Sequence, residues 1–226
     1  MTPGRATPGR TGPGRDCALC PRLVAFRDEL RRDFPLWHNA PVPSFGPENA
    51  RLLIVGLAPG LKGANRTGRP FTGDYAGDLL YATLAKFGWA SGKYVAGRDD
   101  GVWSTDTLML KDVRITNAVR CLPPQNKPLP AEINVCRQFL SGELTALPKL
   151  RAILALGRVA HETILGTLGL KRSAYKFVHG ALHDLPGGLT LADSYHCSRY
   201  NTNTGVLTPE MFEQVFAALR SHLTRT

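Results

Sequence analysis

The chain has 226 residues, 43% hydrophobic and 20% charged, which suits one soluble globular domain and excludes a low-complexity polymer or a chain too short to bury a core. Its 28 Lys and Arg against 18 Asp and Glu give a formal charge of +10, which favours a polyanionic partner, most simply nucleic acid. No apolar run approaches the roughly 18–20 residues that span a bilayer and no signal-peptide core stands at the N-terminus, so a cytoplasmic protein without a membrane partner is expected.

Residues 1–15, MTPGRATPGRTGPGR, form a basic quasi-repeat without hydrophobic periodicity and are predicted to be disordered. Subtracting Arg5, Arg10 and Arg15 from +10 leaves +7, so residues 16–226, read as one domain, remain basic. Cys17-Ala-Leu-Cys20-Pro21 leads into a helix over about 22–31, with Leu23, Phe26 and Leu30 on one face. After the Pro-rich link 39–47, the apolar run Leu52–Val55 predicts a buried strand over 51–56. A long glycine-rich loop follows, and a helix over Tyr75–Phe87 that Gly88 can close. Residues 89–110 read as irregular or weakly patterned.

A second strand is predicted at Val113–Val119, then the loop LPPQNKPLP and a helix over about 131–144. Ala152–Leu156 predicts a third buried strand, with Gly157 opening a helix through Leu168. A fourth strand, Leu189–Ala192, runs into Asp193-Ser194-Tyr195-His196, and Thr208-Pro209 caps a last helix over about 209–222. Strands alternating with helices predict a mainly parallel α/β sheet covered on both faces, with the polar loops gathered at the carboxyl ends of the strands.

Several stretches carry chemistry. The loop from Gly56 to Gly77 lacks the P-loop pattern G-x-x-x-x-G-K-[ST], and GLAPGLKG does not follow G-x-G-x-x-G, which disfavours an ATP or NAD site. Its glycines let backbone approach a ligand, so Gly56, Ala58 and Gly60 are candidate walls of a pocket. Phe71 is either core or a stacking platform for a planar base, and Asp74 either a catalytic carboxylate or the cap of the next helix. Asn117, near the end of the second strand, offers donor and acceptor to one base edge, unless it caps a turn. The stretch HCSRYNTNTG begins with His196, and its Ser198, Arg199, Tyr200 and Asn201 suit phosphate and sugar contacts, with Asn65 and Arg66 as further DNA-binding candidates. Five cysteines without an export signal argue against a disulfide framework. Cys17, Cys20, Cys121 and Cys136 make a four-thiolate set that suits structural zinc or an iron–sulfur cluster, with Cys197 left over as a small filler.

Taken together, GLAPG at 56–60, NRTGRPFTGD at 65–74, NAVRC at 117–121, ALGR at 155–158 and SYHCSRYN at 194–201 resemble the uracil-DNA glycosylase superfamily, specifically its family-5 or type B enzymes. The resemblance runs from about Cys17 to the last helix. It implies an α/β/α sandwich around a central four-stranded parallel sheet, and a structural 4Fe–4S cluster on Cys17, Cys20, Cys121 and Cys136. It also implies a monomeric DNA-repair enzyme that flips uracil, and also hypoxanthine and some other damaged bases, out of DNA and hydrolyses the N-glycosidic bond without a metal in that step. Several branches of the superfamily place an acidic or amide side chain where this chain has Leu57 and Ala58, so Asp74 is the expected substitute. His196, Asn117 and Phe71 are expected to stabilise, read and stack the base. The rival expectations are a non-catalytic nucleic-acid-binding module stapled by metal, and an iron–sulfur enzyme acting on a free nucleotide.

Overall fold

The computed structural model describes residues 12–96 and 106–225. Residues 1–11 of the tail predicted to be disordered lie outside the described residues. Residues 12–15 lie inside them: the Gly14 carbonyl accepts from the Cys17 amide at 3.1 Å and the Arg15 carbonyl from Arg31 at 3.2 Å.

Five strands form the main sheet: β1 (Leu52–Gly56), β4 (Val113–Asn117), β5 (Ala152–Leu156), β6 (Leu182–Leu185) and β7 (Leu189–Ser194). Their order is β4-β1-β5-β7-β6; the first four are parallel and β6 pairs antiparallel with β7. The four parallel strands are those expected, and the edge strand β6 corrects the count to five. Its four residues, Leu-His-Asp-Leu, carry no apolar run, and the strand exists because a Pro186-Gly187-Gly188 turn folds it onto β7. Gly187 and Gly188 both sit at positive φ, 81° and 75°, which glycine adopts without strain. Residues 89–110, read as irregular or weakly patterned, contain an antiparallel pair of short strands, β2 (Ala90–Ser91) and β3 (Met109–Leu110); residues 97–105 lie outside the described residues.

Side chains alternate across the sheet, as the two-residue period of a strand demands. From β1, Leu52 and Ile54 enter the core shared with α3 (Tyr75–Lys86) and α7 (Pro209–Arg225), whereas Leu53 and Val55 enter the opposite core with α4 (Pro130–Thr145) and α5 (Arg158–Thr167). On α7, Phe212, Val215, Phe216, Leu219 and Leu223 recur at helical spacing and are all buried, and the Thr208 hydroxyl caps the helix by accepting from the Met211 amide at 3.2 Å. A third small core joins α1 (Pro21–Asp33) to α4 through Leu23, Val119, Cys136 and Phe139. The layering is α/β/α. Among the described residues no helix is long and apolar enough to cross a membrane.

Candidate active site and cysteine cluster

At the carboxyl ends of β1, β4 and β7 the backbone itself draws the candidate residues together. Parallel pairing continues past β1 and β4, the Ala118 and Val119 amides donating to the Gly56 and Leu57 carbonyls at 2.9 Å each. Asn117 therefore lies beside Gly56. A methyl group on Gly56 would stand 2.5 Å from Asn117 Oδ1 and 2.7 Å from Phe71 Cζ, so the bare glycine is what lets those two side chains converge. Asp74, Phe71, Asn117 and His196 line one recess with Ala58 and Gly60. The recess opens into a larger pocket of about 540 Å³, whose walls add Lys62, Tyr75, Asn126, Ser198 and Arg199.

Phe71 has φ +55°, a left-handed conformation that costs a non-glycine residue free energy unless its surroundings impose it. The flanking segment is held at four points. Tyr81 donates to the Pro70 carbonyl at 2.6 Å, Thr72 Oγ1 to the Arg69 carbonyl at 2.7 Å, and the Gly73 amide to the Ala96 carbonyl at 2.5 Å. Arg69 forms two bonds to Asp106, at 3.0 and 2.7 Å. The Phe71 ring is buried and packs against His196 with centroids 5.8 Å apart and planes 27° apart. It is both core and one wall of the recess.

Asp74 occupies the N-cap position of α3 but makes no side-chain capping bond there. Its carboxylate instead packs on Gly60 and Gly63, where any side chain on Gly63 would overlap it. Its charge reaches Cys197, whose thiol is pushed up by burial first and by Asp74 second. Burial drives the His196 pKa down to about 4, so the imidazole is neutral at physiological pH. Its Nδ1 is buried without a hydrogen-bond partner. A neutral histidine beside a carboxylate in a half-enclosed recess offers a hydrogen-bond donor to one part of a ligand and a negative charge to another.

The remaining candidates divide. Ser198 caps α6 (Arg199–Asn203) by accepting from the Asn201 amide at 3.4 Å, and Arg199 lies over the Tyr75 ring at 5.8 Å, both at the pocket mouth. Tyr200 is 74% exposed. Asn201 is part-buried, its Nδ2 donating to the main-chain carbonyl of His196 at 2.8 Å. Asn65 corrects the sequence expectation: it is only 3% exposed and its Nδ2 donates to Asn39 Oδ1 at 2.9 Å, which commits it to the interior. Its neighbour Arg66 remains at the surface of α2 (Ala64–Thr67). Sequence reasoning missed Lys62, Tyr75 and Asn126. Asn126 and the preceding Gln125 have φ +58° and +56°, two successive left-handed residues in the LPPQNKPLP loop, and an asparagine between prolines was the one available signal.

Cys17, Cys20, Cys121 and Cys136 converge on one small apolar cavity lined also by Leu23 and Phe139. The elements around it are tied down: Arg22 reaches Glu132 with two bonds at 2.8 and 2.7 Å, Arg27 donates to the Cys17 carbonyl at 2.9 Å, and the Arg120 amide donates to Cys136 Sγ at 3.3 Å. Burial and the neighbouring sulfurs push the Cys20 thiol up to about 11 and Cys121 to about 12, so thiolates here require a cationic centre. A single tetrahedral zinc, with Zn–S of about 2.3 Å, would draw the sulfurs to about 3.8 Å of one another. Among the described residues, the only set of three or more His, Cys, Asp or Glu ligand atoms all within 4.8 Å of one another is His161, His183 and Asp193, so the sulfurs are spread more widely than one ion needs.

That histidine–aspartate group is an ionic clasp. His161 Nδ1 meets Asp193 Oδ1 at 2.7 Å and Nε2 meets the Tyr175 carbonyl at 2.9 Å, while His183 Nε2 and the Val178 amide reach Asp193 Oδ2 at 3.0 and 3.2 Å. Burial opposes charge on His161, but its two acceptors prevail and raise its pKa. Every ligand atom in the group is already engaged by hydrogen bonds.

Comparison with known proteins adds an independent line. A family model described as the uracil DNA glycosylase superfamily matches residues 43–220. A type-5 uracil-DNA glycosylase of Thermus thermophilus is 50% identical over 205 residues, covering 88% of this chain and 90% of that protein. A type-5 enzyme of Mycobacterium bovis is 42% identical over 209 residues, with 88% and 75% covered, and one of Pyrobaculum aerophilum 41% identical over 204 residues, with 88% and 86% covered.

Proposed function

The chain belongs to the uracil DNA glycosylase superfamily, and from that premise we propose that it removes uracil from DNA by hydrolysing the N-glycosidic bond, leaving an abasic site. We extend the proposal to hypoxanthine and other deaminated or damaged bases, and to action as an intracellular monomer. The single observation that carries the reading is the convergence of Asp74, Asn117, Phe71 and neutral His196 on one recess at the sheet's carboxyl edge.

The target bond is inaccessible inside a duplex, so the nucleotide rotates out at a cost of a few kcal/mol. Ser198 and Arg199 at the pocket mouth, with the exposed Tyr200 next in sequence, hold the flanking backbone. The base enters the recess beside Phe71 and the Ala58–Gly60 wall, and Asn117 pairs with its edge. As the C1′–N bond breaks, its electron pair leaves with the base and positive charge develops on the deoxyribose. Asp74 stabilises that cation and orients the water whose oxygen bonds to C1′; the proton released from that water passes to Asp74 or to solvent. His196, neutral and therefore able to donate from one ring nitrogen, stabilises the negative charge on the departing base. One such donor is worth roughly 2.7–4 kcal/mol, or about 10²–10³ in rate. Leu57 and Ala58 supply no polar group, which leaves the water to Asp74.

The cysteine set fits a 4Fe–4S cluster, which Cys17, Cys20, Cys121 and Cys136 would hold; the wide sulfur spacing supports this over zinc. Bound there, a cluster would cross-link α1, α4 and the segment after β4, in the small core that Ala58 of the recess wall also joins. The test is release of free base from labelled oligonucleotides carrying uracil, hypoxanthine or other lesions. Release from uracil-containing DNA supports the reading, and binding without release refutes it.

A further inference from the structure

We infer that the cleft beside the catalytic histidine, lined by Arg158, Arg172 and Lys176, binds backbone phosphates of the DNA strand beyond the flipped nucleotide. The inference rests on the proposed glycosylase reading and adds to it a second contact surface. The cleft measures about 310 Å³ and is open. It lies on the same edge of the sheet as the recess. Arg158 is the first residue of α5 and follows Gly157, whose Cα faces the His196 side chain closely enough that an added methyl would sit 3.8 Å from its Cβ. From the other side, Phe177 of the cleft packs on Tyr195, the neighbour of His196, at 6.1 Å between ring centroids.

Charge makes the case for a polyanion. Three cations face one carboxylate in the lining, a surplus of two, and Arg172 alone is paired, to Glu162 at 2.9 Å. Among the described residues neither Arg158 nor Lys176 has a carboxylate partner. Arg158 also stands in the first turn of α5, where the helix dipole disfavours a cation and no acidic residue offsets it. Such a local conflict is expected where a side chain serves a ligand. The lining is also prearranged. The clasp on Asp193 holds the Tyr175 carbonyl through His161 and the Val178 amide directly, anchoring the 171–181 segment to β7 two residues before Tyr195.

The experiment measures duplex affinity by fluorescence anisotropy across a salt series, using the full chain and an uncleavable uracil-site duplex. Removing one cation from a phosphate should reduce the slope of log K against log salt by about 1. Lys176→Ala and Arg158→Ala should each lower the slope by about 1, and the double variant by about 2, with no dependence on sequence. Both side chains are exposed, so melting temperatures should match wild type, which keeps folding out of the result. Lys149→Ala, before β5 at the opposite edge, should leave the slope unchanged. A neutral methylphosphonate at the phosphates facing the cleft should erase the difference between wild type and Lys176→Ala. Wild-type slopes in both cleft variants, or an equal fall in Lys149→Ala, overturn the inference while leaving the glycosylase reading intact. Failure of the wild type to bind DNA overturns both.

Discussion

Gly56→Ala is the smallest change that strikes the recess without touching a polar group. An ordinary contact begins at 3.4 Å, so the new methyl overlaps Asn117 Oδ1 by about 0.9 Å (3.4 minus 2.5) and Phe71 Cζ by about 0.7 Å (3.4 minus 2.7). Neither neighbour yields easily: Asn117 sits at the end of a buried strand, and Phe71 is bounded by the three bonds that hold Pro70, Thr72 and Gly73. Overpacking of this kind typically costs about 1–3 kcal/mol of stability, a fall in melting temperature of roughly 2–12 °C for a domain of this size. The displacement falls on Asn117 and Phe71, the groups proposed to read and stack the base, and a misplacement near 1 Å costs about 10²-fold in rate. Single-turnover excision should therefore drop by about that factor, while duplex affinity, set at the pocket mouth, changes less than twofold. Wild-type excision in a variant that has lost stability would refute the convergence of Asn117 and Phe71 on the substrate.

Other outcomes follow from the same geometry. NMR titration should find the His196 imidazole protonating near pH 4, well below the ordinary histidine value; because its folded pKa is depressed, the associated stability is present above about pH 6.5 and fades as pH falls toward 4. His161 should behave oppositely, holding its proton above 6.5, so its contribution is complete below that value and is lost as pH rises through its raised folded pKa. Asp193→Asn, which breaks the buried pair beneath the 171–181 segment, should cost about 3–5 kcal/mol by chemical denaturation, and a loss under 1 kcal/mol would count against an ionic clasp. Cys136→Ser should abolish the visible absorbance and iron content expected of a cluster and lower the melting temperature. Retained iron at full stoichiometry would remove Cys136 from the ligand set.

The parallel core was legible because its strands are short apolar runs between loop signals, and the helices because their apolar residues recur at helical spacing. Strand β6 was not, since Leu182-His183-Asp184-Leu185 gains its place only from the turn at Pro186–Gly188 and from pairing with β7. Residue types announced Asp74, Asn117 and His196, but not which way a side chain faces. Asn65 and Asn201 look like surface donors in sequence, yet contacts with Asn39 and the His196 carbonyl engage the amides of both. Asn126 enters the pocket through backbone torsions that no composition rule specifies. The clasp on Asp193 joins residues 32 and 10 positions apart and has no local pattern at all.

The proposed chemistry turns on Asp74 acting on the reacting sugar within the recess. Single-turnover release of uracil from a labelled oligonucleotide by wild type and Asp74→Asn, with duplex affinity determined in parallel, isolates that step. Wild type should release the base rapidly, and the variant should fall by at least about 10²-fold with affinity nearly unchanged. Release at the wild-type rate by Asp74→Asn would remove the carboxylate from the reaction.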